Sequence, residues 1–501
     1  MWEKGYRELE ENRRIRENLS LLRSEAKDPK VKRALAERVG DGALLASFLQ
    51  SDEPKVRKNA ALLIGDLGIR QAVDALFLAY QAETTLFVRS AYLDALAGLD
   101  ASAYISELKM RRDFLVAYEA AEEEKKHIAA ELRGLETIIA GVEGIGRHTF
   151  VGLSDRHELL LVNTKELRQA TLAEAKRLSS DIAETASLHP LGVSVNTREL
   201  RAVAELRTYR ELLFPIHIER RYAREKDPAQ LAGAIWHSDM PALLAELYRE
   251  TTPFYYRLEL RGGMEPAEKS RFARQFAAEL THVSGHGYIN STSDYELEIR
   301  LIAKKEGGYA VFLRLPGLDS ERFSYRKHAI AGSMHPSVAA AVIELARPYL
   351  KEGAQILDPF CGVGTLLIER DMAVCAREKY GIDSFGEAVR MAREHAVAAG
   401  QKINFINRDY FTFRHEYLFD EIVTDMPVRG KGSKEELDSL YGRFFERSGE
   451  LLVPGAVIVM CSGEEGFVKK YLRLHADYRL LTEHCLRGKD QFHLFVIRYK
   501  G

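Results

Sequence analysis

In residues 355–370, QILDPFCGVGTLLIER, an apolar run ends in Asp358, passes a glycine pair at Gly362 and Gly364, and resumes with helical apolar spacing. A strand that turns through glycines into a helix holds a nucleotide-derived cofactor at the switch point of a parallel α/β sheet. Glycine suits the turn because a Cβ there would collide with a ligand brought close to the backbone. Tight packing of strand on helix is the alternative reason for it. Acidic residues close three further apolar runs. Asp383 stands about 20 residues beyond the turn, where a ribose-binding carboxylate belongs. Asp409 is placed to meet an adenine amino group, and Asp425 ends the fourth run. Capping a following helix is the other reading of Asp383 and Asp409.

The elements that must position these residues follow from the rest of 351–501, where apolar runs alternate with helical patterns in the βαβ manner. Strands are expected at 355–360, 379–384, 403–409, 419–425, 456–462 and 492–499. The glycine spacing lacks the third glycine of the dinucleotide fingerprint, and DPFCG precedes it. In this the segment resembles the first motif of class I S-adenosylmethionine (SAM) methyltransferases, whose Rossmann-like α/β domain would occupy 335–501. The resemblance implies SAM as cofactor, held by Asp358, Phe360, Gly362, Gly364, Asp383 and Asp409. Residues 424–430, TDMPVRG, resemble the (Asn/Asp)-x-Pro-aromatic motif of methyltransferases that act on exocyclic amines of bases. Such an amine is a poor nucleophile because its lone pair is delocalised into the ring. A carboxylate and a backbone carbonyl accepting its two hydrogens localise that pair, and the proline fixes the carbonyl's direction. The resemblance gives these parts to Asp425, the Met426 carbonyl and Pro427. Val428 departs from the pattern, since an aromatic normally stacks there on the extruded base. Either the stacking falls to another residue or the activity is weakened.

Cys361 and Cys461 raise a rival chemistry. VIVMCSG, at 457–463, resembles the strand that carries the thiolate nucleophile of pyrimidine-C5 methyltransferases, and DMPVRG is not far from their DPPR. Against this, those enzymes usually place Glu where this chain has Asp383, and no acidic general base stands near the terminal strand FHLFVIR. A small residue ending a buried strand is the plainer reading of Cys461.

The chain has 501 residues, room for about three domains, and its balance of 46% hydrophobic and 29% charged residues is that of a soluble globular protein. Its four cysteines all follow residue 360 without metal spacing, so a reducing compartment and no structural zinc are expected. With no signal peptide and no apolar run near 18 residues, a cytoplasmic location is expected. A net charge of −2 does not advertise nucleic-acid binding, so any RNA contact must be a local basic patch.

Residues 1–112 contain an internal repeat: Val56, Arg57, Ala61, Ile64 and Leu67 recur 32 positions on as Val88, Arg89, Leu93, Leu96 and Leu99. A shorter copy begins at Val31 with Leu35 and Val39. The pattern resembles HEAT repeats, helical pairs that stack to bury a shared face, with an unrelated helical bundle as the alternative. A charged linker helix is expected over 113–146, with Ile128, Leu132, Leu135, Ile139 and Val142 on one side and Gly141, Gly144 and Gly146 ending it. Between 147 and 334 the character changes to mixed strands and helices, and a strand at 296–302 is expected to pair with one at 309–315. Followed by a DPFCG methyltransferase, this region resembles the THUMP domain and its ferredoxin-like companion. The whole of 147–501 resembles the THUMP-containing RNA guanine-N2 methyltransferases. In that family the THUMP unit grips the acceptor end of tRNA, while relatives modify large-subunit ribosomal RNA.

Arg322, Arg326, Lys327 and His328 form a basic stretch whose neighbouring acids are Asp319 and Glu321, suited to phosphate contact. Arg207 and Arg210 are expected in a helix with Glu205 and Glu211, as phosphate ligands or as a solvated face. A helix should open at Pro336. The function implied is transfer of a methyl group from SAM to guanine N2, in tRNA first and 23S rRNA second, with no metal and no covalent intermediate. A non-catalytic RNA-binding scaffold, with the HEAT-like part docking a protein, is the competing class that Val428 keeps open.

Overall fold

The computed structural model describes residues 2–118, 121, 123–143, 148–178, 180–250, 253–292, 294–318, 321–428 and 433–501. Expectations placed on Gly144, Gly146, Asp319 and Gly430 lie outside these residues. Contacts divide the chain into two units, Met1–Arg147 and His148–Gly501. In the first, helices Pro54–Leu67 and Leu86–Ala97 carry the repeat. Val56, Ala61 and Ile64 are buried, as are their counterparts Val88, Leu93 and Leu96, because helical spacing puts each set on one stripe. The repeated arginines do matching work: Arg57 pairs with Glu83 at 2.8 Å and Arg89 with Glu131 at 3.0 Å, both carboxylates buried. Gly65 lets the two helices touch, since a Cβ would lie 2.6 Å from the Cα of Ala95.

Two expectations shift here. Helix Ile105–Ala117 crosses residue 112, and Lys125–Glu143 runs straight through Gly141. Each of its two glycines, Gly134 and Gly141, costs the helix only about 1 kcal/mol. The buried stripe of Leu132, Leu135, Ile138 and Ile139 outweighs that.

The second unit holds two sheets. The first contains β1 (His157–Val162), β2 (Thr185–His189), β3 (Gly192–Thr197), β4 (Glu211–Ile216), β5 (Phe254–Arg261), β6 (Tyr288–Asn290), β7 (Leu297–Ala303) and β8 (Tyr309–Arg314). Their order is β2-β3-β1-β4-β8-β7-β5-β6, and β7 pairs with β8 antiparallel, Leu301 facing Val311. The expected helix over Arg207 and Arg210 does not form. Helix Leu200–Ala204 ends before them, and Leu212, Phe214 and Ile216 alternate inward along β4, a period of two that overrides helical propensity.

The second sheet contains β9 (Gln355–Asp358), β10 (Glu378–Asp383), β11 (Asn404–Asn407), β12 (Phe419–Asp425), β13 (Leu452–Ser462), β14 (Tyr478–Arg487) and β15 (Phe492–Tyr499), in the order β11-β10-β9-β12-β13-β15-β14. β9 to β13 run parallel, and β15 is antiparallel to both its neighbours. The order reverses between β9 and β12, so Asp358 and Asp425 end neighbouring strands at the switch point. Strand β14 has no counterpart in the sequence reading, because this edge strand buries little and carries Arg479, Thr482, Glu483 and His484. Helix Pro336–Ala346 opens at the expected proline, capped by His335.

Arg207 explains how the sheets are joined. Its guanidinium pairs with Glu369 at 2.7 and 2.8 Å, and Tyr325 donates to the same buried carboxylate at 2.6 Å. Arg207 is therefore a strut between β4's entry loop and helix Thr365–Ala373, neither a solvated face nor a phosphate ligand.

Candidate active site

The carboxyl edge of the second sheet gathers the sequence-selected residues, and the two glycines turn out to have different reasons. Gly362 has φ +51°, and a Cβ built on it would meet nothing within 4 Å. Its open side is a cradle that a Cβ would fill. Gly364 has φ +80°, but its Cβ would lie 2.7 Å from Phe405 Cζ and 3.2 Å from Ala392 Cβ. Packing beneath the loop, rather than approach of a ligand, requires glycine there.

Asp383 accepts from Gly362 N and from Phe385 N, both at 2.8 Å. The cap of helix Gly386–Ala398 is Phe385, so Asp383 is not its N-cap. Instead it ties the glycine loop to β10 and stands beside the cradle. Asp409 does cap, accepting from Phe411 N at 2.9 Å at the start of the short helix Tyr410–Thr412. Asp358 is 1% exposed and accepts from Phe360 N at 3.2 Å. Burial, and then the charges of Asp383 and Asp425, push its carboxyl well above the ordinary range. Phe360 packs edge-on against Tyr410 at 5.7 Å.

One member escaped the sequence reading. His395, fully buried, contacts the Val363 carbonyl through Nδ1 at 3.0 Å and accepts from His328 N through Nε2 at 3.0 Å. It buckles the glycine loop to the segment entering the domain. The available signal was a histidine inside the apolar stripe Ala388, Val389, Ala392 and Ala396.

Asp425 ends β12 partly exposed, while Met426 behind it is buried and donates its N–H to the Cys461 carbonyl at 2.9 Å. Pro427 follows, and Val428 is 73% exposed. Burial raises the Asp425 carboxyl to about 7, with the charge of Arg487 pulling the other way. A carboxyl raised this far can accept amine hydrogens when ionised and can also take up a proton in the neutral range. Cys461 is 0% exposed, and burial followed by the charges of Asp425 and Asp358 pushes its thiol well up. A thiolate nucleophile needs access and a lowered pKa, and Cys461 has neither. We expect Cys461→Ala to keep methyl transfer within about three-fold of wild type, given that effects of ~1 kcal/mol are usual for modest core changes. A trapped covalent RNA adduct would restore the thiolate chemistry.

The basic stretch divides. Arg322 donates to the carbonyls of Leu206, Tyr209 and Arg210 at 3.1, 2.8 and 2.8 Å, with its guanidinium 3.6 Å over the Tyr209 ring. Its hydrogen bonds hold the β4 entry loop. Arg326 is partly buried, its Nε without a hydrogen-bond partner, and Lys327 is exposed. Arg326 and Arg210 both lie near His335, whose pKa falls to about 4 through burial and then the charges of Arg210, Arg326 and Arg322.

Comparison with known proteins agrees with this arrangement. Residues 324–484 match the family described as the RMKL-like methyltransferase domain. A tRNA (guanine(10)-N2)-dimethyltransferase of Methanothermobacter thermautotrophicus is 30% identical over 157 residues, covering 30% of this chain and 46% of that protein. A tRNA (guanine(6)-N2)-methyltransferase of Thermus thermophilus is 32% identical over 160 residues, with the same coverage of 30% and 46%. The chain thus spans just under half the length of the curated relatives it matches. Among solved structures, TrmN from Thermus thermophilus superposes with a TM-score of 0.51 at 22% identity, over 69% of this chain and 99% of that one. SMU.472, assigned as a methyltransferase and solved in complex with SAH, gives 0.51 at 15% identity, over 70% and 99%. These likenesses show a class I methyltransferase-like α/β fold. Residues 324–484 thus carry a SAM-dependent methyltransferase domain, similar to the one that model describes.

Proposed function

We propose that the protein methylates the exocyclic N2 amine of a guanine in tRNA. The observation that carries this reading is the place of Asp425, at the end of the switch-point strand and followed by the Met426 carbonyl and Pro427, with burial pushing its carboxyl up to about 7. The two curated relatives are named for guanine-N2 methylation of tRNA, which supports the same substrate. The fold match covers 69% of the chain, about twice the methyltransferase domain, so the likeness of fold reaches beyond that domain, and the region over 147–334 would grip the RNA.

The cradle at Gly362, with the Asp383 carboxylate beside it, fits the cofactor. SAM supplies a methyl group already activated on a sulfonium. What remains for this chain is alignment and proton handling. Asp425 and the Met426 carbonyl accept the two N2 hydrogens and turn the lone pair toward the methyl carbon. The proton that N2 sheds on methylation would pass to the Asp425 carboxylate. No metal and no enzyme nucleophile takes part.

RNA contact falls to Lys327, Arg326 and Arg210, while His328 of the same stretch lies against Glu394 at 3.0 Å. Arg322 would act through the loop it holds. The helical repeats of the first unit would recruit a protein partner. No helix among the described residues is long and apolar enough to cross a membrane, and a cytoplasmic site of action follows from the substrate.

Asp383→Ala is expected to weaken SAM binding by roughly 1–3 kcal/mol, the worth of a charge-assisted hydrogen-bond pair, as calorimetry on the full chain would read. For the reaction itself, the full chain is incubated with labelled SAM and with tRNA or ribosomal RNA, and the nucleosides are resolved by mass spectrometry. N2-methylguanosine in tRNA is the expected product. Label in ribosomal RNA alone would move the substrate, and no SAM affinity or no methylated nucleoside in either pool would sink the reading.

A further inference from the structure

Val428 leaves the amine-methylating motif without its stacking ring, and the sheet register shows where another ring stands. Side chains on a strand alternate between faces. Val423 and Asp425 therefore share a face, with Val459 and Cys461 beside them on β13 and Val496 and Leu494 beside those on β15. The buried members of this set belong to one core. Phe492, two residues before Leu494, lies on that same face and packs partly exposed against that core. Because β15 runs antiparallel, moving back from Leu494 to Phe492 carries the chain outward past the carboxyl edge where Asp425 ends. Two strand spacings separate β12 from β15, roughly 10 Å, and two residues of rise add roughly 7 Å. A phenylalanine side chain and a purine together span that gap.

A second observation converges on the place. Arg487, facing Phe492 in the β14–β15 pairing, sets its guanidinium 5.3 Å over the Phe492 ring, and its charge reaches Asp425. The turn that follows lies against the RNA-gripping side of the unit, since a Cβ on Gly488 would sit 3.8 Å from Glu166 Oε1. Leu167 and Ala170 enter the same core as Leu486 and Leu494.

The geometry points to Phe492, backed by Arg487, as the stacking platform for the target base in place of the aromatic missing at Val428. The inference rests on the reading of Asp425 as the amine-holding carboxylate. Ring-on-base stacking needs no hydrogen-bond match, and an arginine within cation–π range of the ring adds a positive charge for a phosphate or base.

The test uses the full chain with tRNA. Phe492→Leu keeps apolar volume in the core but removes the ring, and kcat/KM should fall about 5- to 100-fold, the range for one lost base stack, with SAM affinity unchanged. Phe492→Tyr should stay near wild type. Val428→Phe added to Phe492→Leu should recover part of the loss, which a merely structural role for Phe492 would not allow. Independently of turnover, ultraviolet irradiation of the wild-type complex should crosslink guanine to the peptide containing Phe492, as mass spectrometry would map. Full activity in Phe492→Leu, or crosslinks confined to other peptides, overturns the platform and leaves guanine-N2 methylation standing. A guanine crosslink at Phe492 without N2 methylation overturns the reaction and leaves the platform. No tRNA binding at all overturns both.

Discussion

Asp425→Ala is expected to lower methyl transfer by about 100- to 1,000-fold or more, the usual cost of removing one preorganised group that acts on developing charge. SAM affinity should stay within about three-fold, because the carboxylate acts on the base and not on the cofactor. Steady-state methylation of tRNA and calorimetric SAM titration separate the two. An Asp425→Ala enzyme that still methylates at a tenth of the wild-type rate would remove Asp425 from the chemistry.

The pH profile carries the same residue's signature. Only the ionised carboxylate accepts the amine hydrogens, so activity should rise with pH through about 7 and level off above it. Stability should move the opposite way. The folded-state pKa lies above the ordinary value, so the protonated form favours the fold, and that contribution is lost as pH climbs through about 7. Asp425→Asn, neutral throughout, should therefore be inactive yet at least as stable as wild type at pH 8, as thermal unfolding would show. A strictly flat activity profile between pH 6 and 8 would contradict the assignment.

The largest expected effect on stability lies at the opposite end of the same strand. Arg370 and Glu421 are both buried and paired through Nε–Oε2 at 2.8 Å and Nη2–Oε1 at 2.9 Å. The arginine also donates to the Lys351 carbonyl at 2.9 Å and to the Val374 carbonyl, and Lys351 N donates to Glu421 at 2.6 Å. Arg370→Ala would leave the Glu421 charge buried without a counter-ion, a change that costs about 3–5 kcal/mol. Removing both charges, Arg370→Leu with Glu421→Leu, should cost far less than the single change. Denaturant unfolding of the two variants decides it: equal losses would mean that packing, not the stranded charge, governs the site.

What the sequence determined by itself was whatever depends on near neighbours. The glycine turn after Asp358, the helix opening at Pro336, the strand 419–425 and the recurring Val-Arg pairs at 56–57 and 88–89 are visible locally, because alternation, capping and glycine's φ range act within a few residues. Even there, β14 was lost, since an edge strand with polar residues on both faces leaves no alternation to read. Only the tertiary structure decided what the long side chains do. Arg207 and Arg322 look alike as basic residues in polar segments, yet one pairs with Glu369, 162 positions on, and the other holds carbonyls more than 110 positions back. His395 joins the glycine loop to the entering segment, and Phe492 shares a face with Asp425 only because β13 lies between their strands. The order of strands in a sheet is set by packing of whole elements, and no local pattern in the chain records it.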